Sequence, residues 1–278
     1  MTELEIAGIG VWSAYFSNWE EFSEGINTSA WKSGSQLQPH LIPPRERRRA
    51  PQSVKLAVEV MSQACTMAQW DPANAAVVFS SAMGDMQITD YLCRTLAVPP
   101  RLVSPTRFHN SVHNATTGYW SIVSQTHAAT SAVSALSFTA PMAFLEAAIQ
   151  SAEEQFPVLL VIQEMAAPLA LYDTCPSQQD FSAALLLTPP GFCSDPLAII
   201  EFGVKPKSAA WPELPSGLEQ FLGGNFGANL IPLLAAMAAS RFNRQAGPAR
   251  FEFPLSSESS IEIAVSKRKS TVNEGQKA

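Results

Sequence analysis

Charged residues are scarce in this 278-residue chain: they make up 15% of it, against roughly a quarter of an average soluble domain. Those present leave a net charge of −6, so a nucleic-acid-binding surface has no electrostatic support. Two long stretches, 108–145 and 220–240, contain no Asp, Glu, Lys or Arg. A chain with so little charge is expected to bury part of its surface against a permanent partner.

Neither uncharged stretch has the composition of a membrane span. Residues 108–145 are rich in Ser, Thr, Asn and His, and residues 220–240 are interrupted by Gly, Asn and Pro, whereas a spanning helix needs about 20 mainly apolar residues. The initial segment MTELEIAGIG has neither the basic region nor the apolar core of a secretory signal. We therefore expect a soluble, cytoplasmic protein.

Cysteine is also rare, which limits the metal and disulfide chemistry that the sequence can offer. The four cysteines form no C-x-x-C pair, so neither a disulfide framework nor a zinc site is expected. His109 and His113 are four residues apart but lack the acidic residue of an H-E-x-x-H motif, and hydrogen-bonded loop histidines are the better interpretation. Gly8 and Gly10 follow a strand without the third glycine of a dinucleotide motif. The sequence predicts no metal and no cofactor.

Nucleophilic catalysis has no recognisable motif either. No G-x-S-x-G segment occurs, although such a segment is the usual sign of a serine nucleophile on a strand-to-helix turn. No spacing links any of the cysteines to one of the four histidines. An active-site nucleophile is therefore not predicted from motifs alone.

Basic residues are concentrated in one place. The dense cluster consists of Arg45, Arg47, Arg48 and Arg49. In an acidic chain these side chains form either the solvated edge of a loop or a surface that receives an acidic partner.

Predicted strands and helices alternate along the chain. Short apolar runs predict strands, and apolar residues at helical spacing predict the helices between them, most clearly over residues 53–70. The predicted strands are 4–12, 75–80, 127–132, 157–163, 181–188, 197–204 and 261–265, and the predicted helices are 19–26, 53–70, 86–97, a short one from 115, 137–152 and 229–242. Strands that are apolar on both faces are typical of an α/β fold with a largely parallel sheet.

Four segments, in chain order, carry a resemblance to a known family. They are IAGIGVWS (6–13), RRRAPQSVKLAVEVMSQA (47–64), AAVVFSSAMGD (75–85) and SPTRFHNSVHNATTGYWSIV (104–123). They resemble the first strand, the first long helix, the second strand with its glycine turn, and the segment before the active-site strand of β-ketoacyl synthases. The pattern S-P-T-x-F-x-x-S-V-H-N-A, reproduced by residues 104–115, is characteristic of the β-ketoacyl synthase-like N-terminal domain proteins found beside aryl-polyene and related pigment genes.

This resemblance, which covers residues 3–205, implies an α/β fold. It corresponds to the N-terminal half of the thiolase-like ketosynthase fold, with a mixed, mostly parallel sheet flanked by helices. We expect a ketosynthase-like domain over residues 1–205 and a helix–strand extension packed on it over residues 206–266. The polar composition of residues 267–278 predicts a disordered tail.

Two departures from ketosynthases bear on function. Those enzymes carry a cysteine at the N-terminus of a buried helix, where its thiol pKa is lowered. In the matching turn, residues 127–138, Val133 stands at the cysteine position, or Ser134 after a slip of one residue. Ketosynthases also carry two catalytic histidines in a C-terminal half, and no histidine follows His127 here. The resemblance therefore implies a protein without catalytic activity, since a serine at this turn would lack its base.

The implied role is that of a chain-length-factor-like subunit that forms a heterodimer with a full-length ketosynthase. It would shape the acyl tunnel during aryl-polyene or fatty-acid-like chain elongation. In the ketosynthase fold, the segment that matches residues 108–145 lies where two sheets join edge to edge. The residues expected at the tunnel or the subunit interface are Val133, Ser134, Phe138, His109, His113 and Asn114.

An acyl carrier protein is the expected transient partner, with Arg45, Arg47, Arg48 and Arg49 as candidate docking residues. Two alternatives stay open. One is a catalytic ketosynthase or acyltransferase with an unconventional Ser or Cys nucleophile. The other is a scaffold whose main role is to dock the carrier protein.

Overall fold

The computed structural model describes residues 1–31, 34, 36–242 and 248–267, apart from the side chains of 240–242. Within this part, the strands are β1 (Thr2–Ser13), β2 (Ala76–Ser80), β3 (Thr130–Val133), β4 (Val158–Glu164), β5 (Phe181–Thr188), β6 (Ala198–Lys205), β7 (Ala249–Pro254) and β8 (Ser260–Ser266). The helices are α1 (Trp19–Thr28), α2 (Pro44–Arg47), α3 (Gln52–Ala68), α4 (Met86–Ala97), α5 (Pro105–His109), α6 (Ala115–Ser124), α7 (Thr139–Glu154), α8 (Glu219–Leu222) and α9 (Ile231–Phe242). Apart from Lys267, the predicted tail lies outside the described residues.

These strands form one mixed sheet in the order β3–β2–β4–β5–β1–β6–β8–β7. β2 runs parallel to β3 and β4, and every other pair is antiparallel. The predicted α/β fold with a mixed, helix-flanked sheet is confirmed, but the predicted predominance of parallel pairs is wrong. Helices cover both faces of the central antiparallel strands, which are therefore apolar on both faces, like the strands of a parallel sheet.

Helix α3 covers one face of the sheet at very short range. A side chain added at Gly8 or Gly10 would overlap the carbonyl oxygens of Ala64 and Val60, respectively. The glycines of the first strand therefore allow close packing of a helix on a strand, not nucleotide binding. The core on this face includes Met61, Val77, Leu159 and Leu186 from α3, β2, β4 and β5, among other residues.

Helices α1, α7 and α9 share the other core. Phe22, Phe144 and Leu234 from these helices are buried with Leu160 of β4 and Ile263 of β8, among others. Because α7 follows β3 directly, this packing fixes where the junction between β3 and α7 lies.

The chain beyond residue 205 continues the same sheet. β8 pairs with β6 along its whole length, from Ile199↔Ser266 to Lys205↔Ser260, and β7 pairs with β8 at the outer edge. β7 was not predicted from the sequence. The domain boundary at residue 205 stays a prediction.

Candidate functional site

The junction between β3 and α7 is the structural counterpart of the turn that carries the ketosynthase cysteine. β3 ends at Val133, which lies opposite Ser80 of β2. Ser134 follows, and a single 3₁₀ turn, Leu136–Phe138, leads into α7. The sequence predicted this strand-to-helix turn but began the strand three residues too early, ended it one residue too early, and placed the helix two residues too early.

The two positions that could correspond to the ketosynthase cysteine lie in different environments. Val133 is half-buried and packs against the hydrophobic core. Ser134 is exposed at the strand end, and its Oγ donates a hydrogen bond to the carbonyl oxygen of Ala82 at 3.0 Å. Two residues later, Leu136 has a φ of +49°, in the left-handed region that residues other than glycine seldom adopt. The turn is further held by Thr139, whose Oγ1 accepts the N–H of Ala135 at 2.8 Å.

A buried carboxyl group organises the segment that contacts Ser134. Glu164, at the end of β4, is 1% exposed. Its Oε2 accepts the N–H of Ala82 at 2.7 Å, and its Oε1 accepts Ser81 Oγ at 3.0 Å and Met83 N–H at 3.2 Å. Burial raises the pKa of Glu164 to about 7. Sequence analysis missed this residue, although a carboxylate directly after an apolar strand is a visible signal.

Residues beyond position 205 reach the same junction. Phe138 stacks on Trp211, with ring centroids 6.1 Å apart and an interplanar angle of 22°. Asn229 donates from Nδ2 to the carbonyl oxygen of Ser137 at 3.0 Å. The predicted tunnel residue Phe138 therefore contacts the C-terminal part of the chain.

Among the residues that the structure describes, β3 is an outer strand that pairs with β2 on one side and with no strand on the other. Val77 N–H bonds to Ala129 O, and Ser81 N–H bonds to Val133 O, so these alternate positions turn their backbone groups toward β2. By the same alternation, the N–H and C=O groups of Ala132 point away from the sheet. The neighbouring surface carries the exposed apolar side chains Ile122, Leu136, Met142 and Ile149.

The three other predicted tunnel or interface residues lie on and after α5. His109 ends α5, and Asn114 precedes α6 without a side-chain capping bond. His113 is the one that approaches the turn: its Nε2 lies 3.8 Å from where a Cβ of Gly84 would be. Burial lowers its pKa. Within the turn 81–84, Ser134 therefore contacts Ala82 and His113 lies near Gly84. The Ser134 hydroxyl donates its hydrogen bond to a carbonyl oxygen and not to the imidazole of His113.

The arginine cluster begins on α2, and its side chains differ in whether they bind the backbone or are exposed to solvent. Arg47 donates from Nε and Nη2 to the carbonyl oxygen of Ile42 at 3.2 and 2.9 Å, which ties its guanidinium to the backbone. Arg45, Arg48 and Arg49 are exposed. Arg49 borders a cleft of about 500 Å³ that Arg94 and Arg107 also line, among other residues.

Neither a metal-binding cluster nor a membrane-spanning helix occurs in the described part of the chain. Over residues 1–31, 34, 36–242 and 248–267, no group of three or more His, Cys, Asp or Glu residues is arranged to hold a metal ion. No helix in that part combines the length and apolar character that crossing a bilayer requires.

Comparisons with known proteins agree on one fold. In structure, the chain is similar to the ketosynthase (ApeO) in complex with its chain length factor (ApeC) from Xenorhabdus doucetiae, with a TM-score of 0.66 and 19% identity over 95% of this chain and 100% of that chain. It is similar to the ishigamide ketosynthase/chain length factor, with a TM-score of 0.73 and 12% identity over 97% and 100% of the two chains. It is also similar to a β-ketoacyl synthase from Burkholderia phymatum STM815, with a TM-score of 0.69 and 11% identity over 97% of this chain and 100% of that chain.

Identities this low show the fold alone, and no curated protein matches the sequence. The family is established by its sequence profile: residues 17–198 match the description "Beta-ketoacyl synthase, N-terminal domain". This match confirms the family predicted from the four segments. The chain belongs to the β-ketoacyl synthase N-terminal domain family.

Proposed function

We propose that this chain is a non-catalytic, chain-length-factor-like subunit that pairs with a full-length ketosynthase. The pair would act in the cytoplasm on aryl-polyene or fatty-acid-like chains, and this subunit would shape the acyl tunnel. The observation that carries the proposal is the β3–α7 junction, which combines an open strand edge with Val133 and Ser134 where ketosynthases carry a thiol.

The surroundings of Ser134 support a role without catalysis. A serine hydroxyl becomes a nucleophile when an adjacent base accepts its proton. Here the hydroxyl proton is directed at the carbonyl oxygen of Ala82, which is not a base. The buried carboxyl group nearby, Glu164, is committed to three donors from residues 81–83.

The open edge supports a role as a partner subunit. An outer strand with unpaired N–H and C=O groups adds readily to another strand. The stretch 108–145, to which β3 belongs, carries no charge, so pairing would desolvate no charged side chain of this stretch. Two of the similar structures are described as ketosynthases with chain length factors, which is the arrangement proposed here.

Co-expression with full-length ketosynthases of the same genome, followed by size-exclusion chromatography with mass determination, tests the proposal. We expect a one-to-one complex, and a chain that is poorly soluble when produced alone. A stable monomer or homodimer that binds none of them would overturn the proposal. Labelling of Ser134 in the free chain by a thioester-reactive probe would favour a catalytic protein instead.

Tunnel shaping makes a separate prediction for the junction. Val133→Phe, Ser134→Phe and Phe138→Trp would narrow any tunnel that passes it, and the complex should then release shorter products at an unchanged rate of condensation. Ser151→Ala, a change inside α7 away from the junction, is the control. Unchanged product length across all three variants would contradict this part of the proposal.

We further propose that an acyl carrier protein docks at Arg45, Arg48 and Arg49. Their exposure and the negative charge of the rest of the chain set them apart as a surface for an acidic partner. Changing these three residues to Glu should weaken carrier binding at low salt and have less effect at high salt. Arg47→Lys, at the guanidinium bound to the backbone, is the matched control. Equal binding by the triple Glu variant would contradict the docking site.

A further inference from the structure

A small polar pocket lies under the loop between α5 and α6. It has a volume of about 60 Å³ and opens between the end of β2, the start of α4 and that loop. We call it the amide pocket, after its lining residues Asn110 and Gln163. Asp85 and His113 also line it.

Both amides leave a buried oxygen without a partner. Asn110 is 6% exposed and Gln163 is 2% exposed. Within the described part of the chain, neither Asn110 Oδ1 nor Gln163 Oε1 accepts a hydrogen bond. A buried polar group in this state lowers the free energy of unfolding, because it has lost its hydrogen bonds to water without replacing them. Two such oxygens on one pocket indicate that the pocket receives hydrogen-bond donors.

The charge in the pocket selects the kind of donor. Among the described residues that line the pocket, Asp85 is the only carboxylate, and none is a Lys or an Arg. Its Oδ2 accepts Ser53 Oγ at 2.7 Å and its Oδ1 caps α4 by accepting Ile88 N–H at 3.0 Å. The lowered pKa of His113 favours an uncharged imidazole at neutral pH. The pocket therefore presents negative charge together with two free acceptors.

Part of the pocket lining belongs to the uncharged stretch 108–145, which the proposed function places at the partner interface. Ser111, Val112 and Ala115, which also line it, belong to the uncharged stretch 108–145, and Val112 is 53% exposed. Its volume holds about the space of a few water molecules, which suits the end of one side chain and not a whole small molecule.

We propose that the amide pocket receives one Lys or Arg side chain of the ketosynthase partner. The cationic group donates to Asn110 Oδ1 and Gln163 Oε1 and faces the Asp85 carboxylate. Lys and Arg fit because their charged groups carry several donors and no acceptor. The inference rests on the proposed function, since it needs the heterodimer to exist.

The test separates folding from pairing by measuring both for the same variants. Asn110→Leu and Gln163→Met remove the unpartnered oxygens, so they should leave the free chain as stable as before or more stable. Each should nevertheless weaken binding to the full-length ketosynthase by roughly tenfold or more, since hydrogen bonds to charged groups are the strong ones. Asp85→Asn keeps a capping side chain for α4 and should also weaken binding, with less effect at high salt.

Ser151→Ala is the control, because Ser151 also has a buried hydroxyl without a partner among the described residues, but on α7 and away from the pocket. It should leave the affinity unchanged. The inference is overturned if the three pocket variants bind the ketosynthase as tightly as the original chain, whether or not they alter its stability. If the original chain binds no ketosynthase, the proposed function itself fails, and the two failures are thereby distinguished.

Discussion

β3 and β7 are the two outer strands of one sheet, and their surroundings differ in charge. Beside β7, Lys205 contacts Glu252 and Glu262, and Arg250 contacts Glu262 at 2.7 Å. The stretch 108–145, which includes β3, carries no charged residue, and its exposed apolar side chains include Ile122 at 69% and Leu136 at 63% exposure.

This difference indicates which edge is open to pairing. Charged side chains, especially Lys, are a common way to keep an outer strand from adding to another chain, because pairing would desolvate them. The β7 edge has this protection and the β3 edge does not. The proposed partner therefore joins at β3, and the predictions below alter one edge at a time.

The largest effect on binding to the ketosynthase is expected from a change to the backbone of β3. Ala132→Pro removes the N–H group that points away from β2 while leaving the bonds at Ala129 and Val133 in place. Proline is tolerated on an outer strand whose N–H faces outward. We expect a folded chain that no longer co-purifies with the ketosynthase, as measured by pull-down and circular dichroism.

Arginine substitutions at the two edges provide the matched control. Ala132→Arg should prevent pairing as Ala132→Pro does, whereas Glu252→Arg at the β7 edge should leave the complex intact. Equal binding by the Ala132 variants, or loss of the complex in Glu252→Arg, would reverse the assignment of the two edges.

The next effect concerns Glu164, which supports the β3 junction through residues 81–83. Its folded-state pKa of about 7 lies above the ordinary value of 4.5. Its contribution to stability is therefore full below pH 4.5 and is lost as the pH rises to 7, on the order of 3 kcal/mol in total.

Glu164→Gln should remove this dependence on pH. Urea unfolding between pH 4.5 and 8 should show a falling free energy of unfolding for the original chain relative to the variant. Parallel curves for the two proteins would contradict a titrating carboxyl group at this position.

The smallest effect is expected at the charged edge. The contacts of Glu262 with Lys205 and Arg250 lower its pKa, so its contribution is present above pH 4.5 and lost as the pH falls through the folded-state pKa. Glu262→Gln should lower the melting temperature slightly at neutral pH, and less so at high salt, because the pairs are exposed. A large loss of melting temperature that persists at high salt would show that this network is more than surface charge.

Local patterns were sufficient to predict most elements of this fold. The apolar runs gave β4 and β5, α4 was predicted with its observed bounds Met86–Ala97, and the pattern over residues 104–115 led to the right family. Strand direction was not predictable, because burial on both faces does not distinguish parallel from antiparallel neighbours. β7 was missed although its sequence, ARFEFP, alternates charged and apolar residues as a half-buried strand does, because the run is only 6 residues long.

The site was predicted less completely than the fold. The turn at Val133 and Ser134 was found through the family resemblance, but its support by Glu164 depends on a contact 82 residues away in sequence. The unpartnered oxygens of Asn110 and Gln163 are likewise a property of tertiary packing. No pattern of neighbouring residues reports such contacts.

Hydrogen exchange of the backbone amides, compared between the free chain and its complex with the ketosynthase, tests the central claim most directly. The account predicts that the amides of Thr130 and Ala132, which face away from β2, become protected in the complex, while those of 249–254 exchange as they do in the free chain. Protection at 249–254 with no change at 130–133 would contradict it and place the partner at the charged edge.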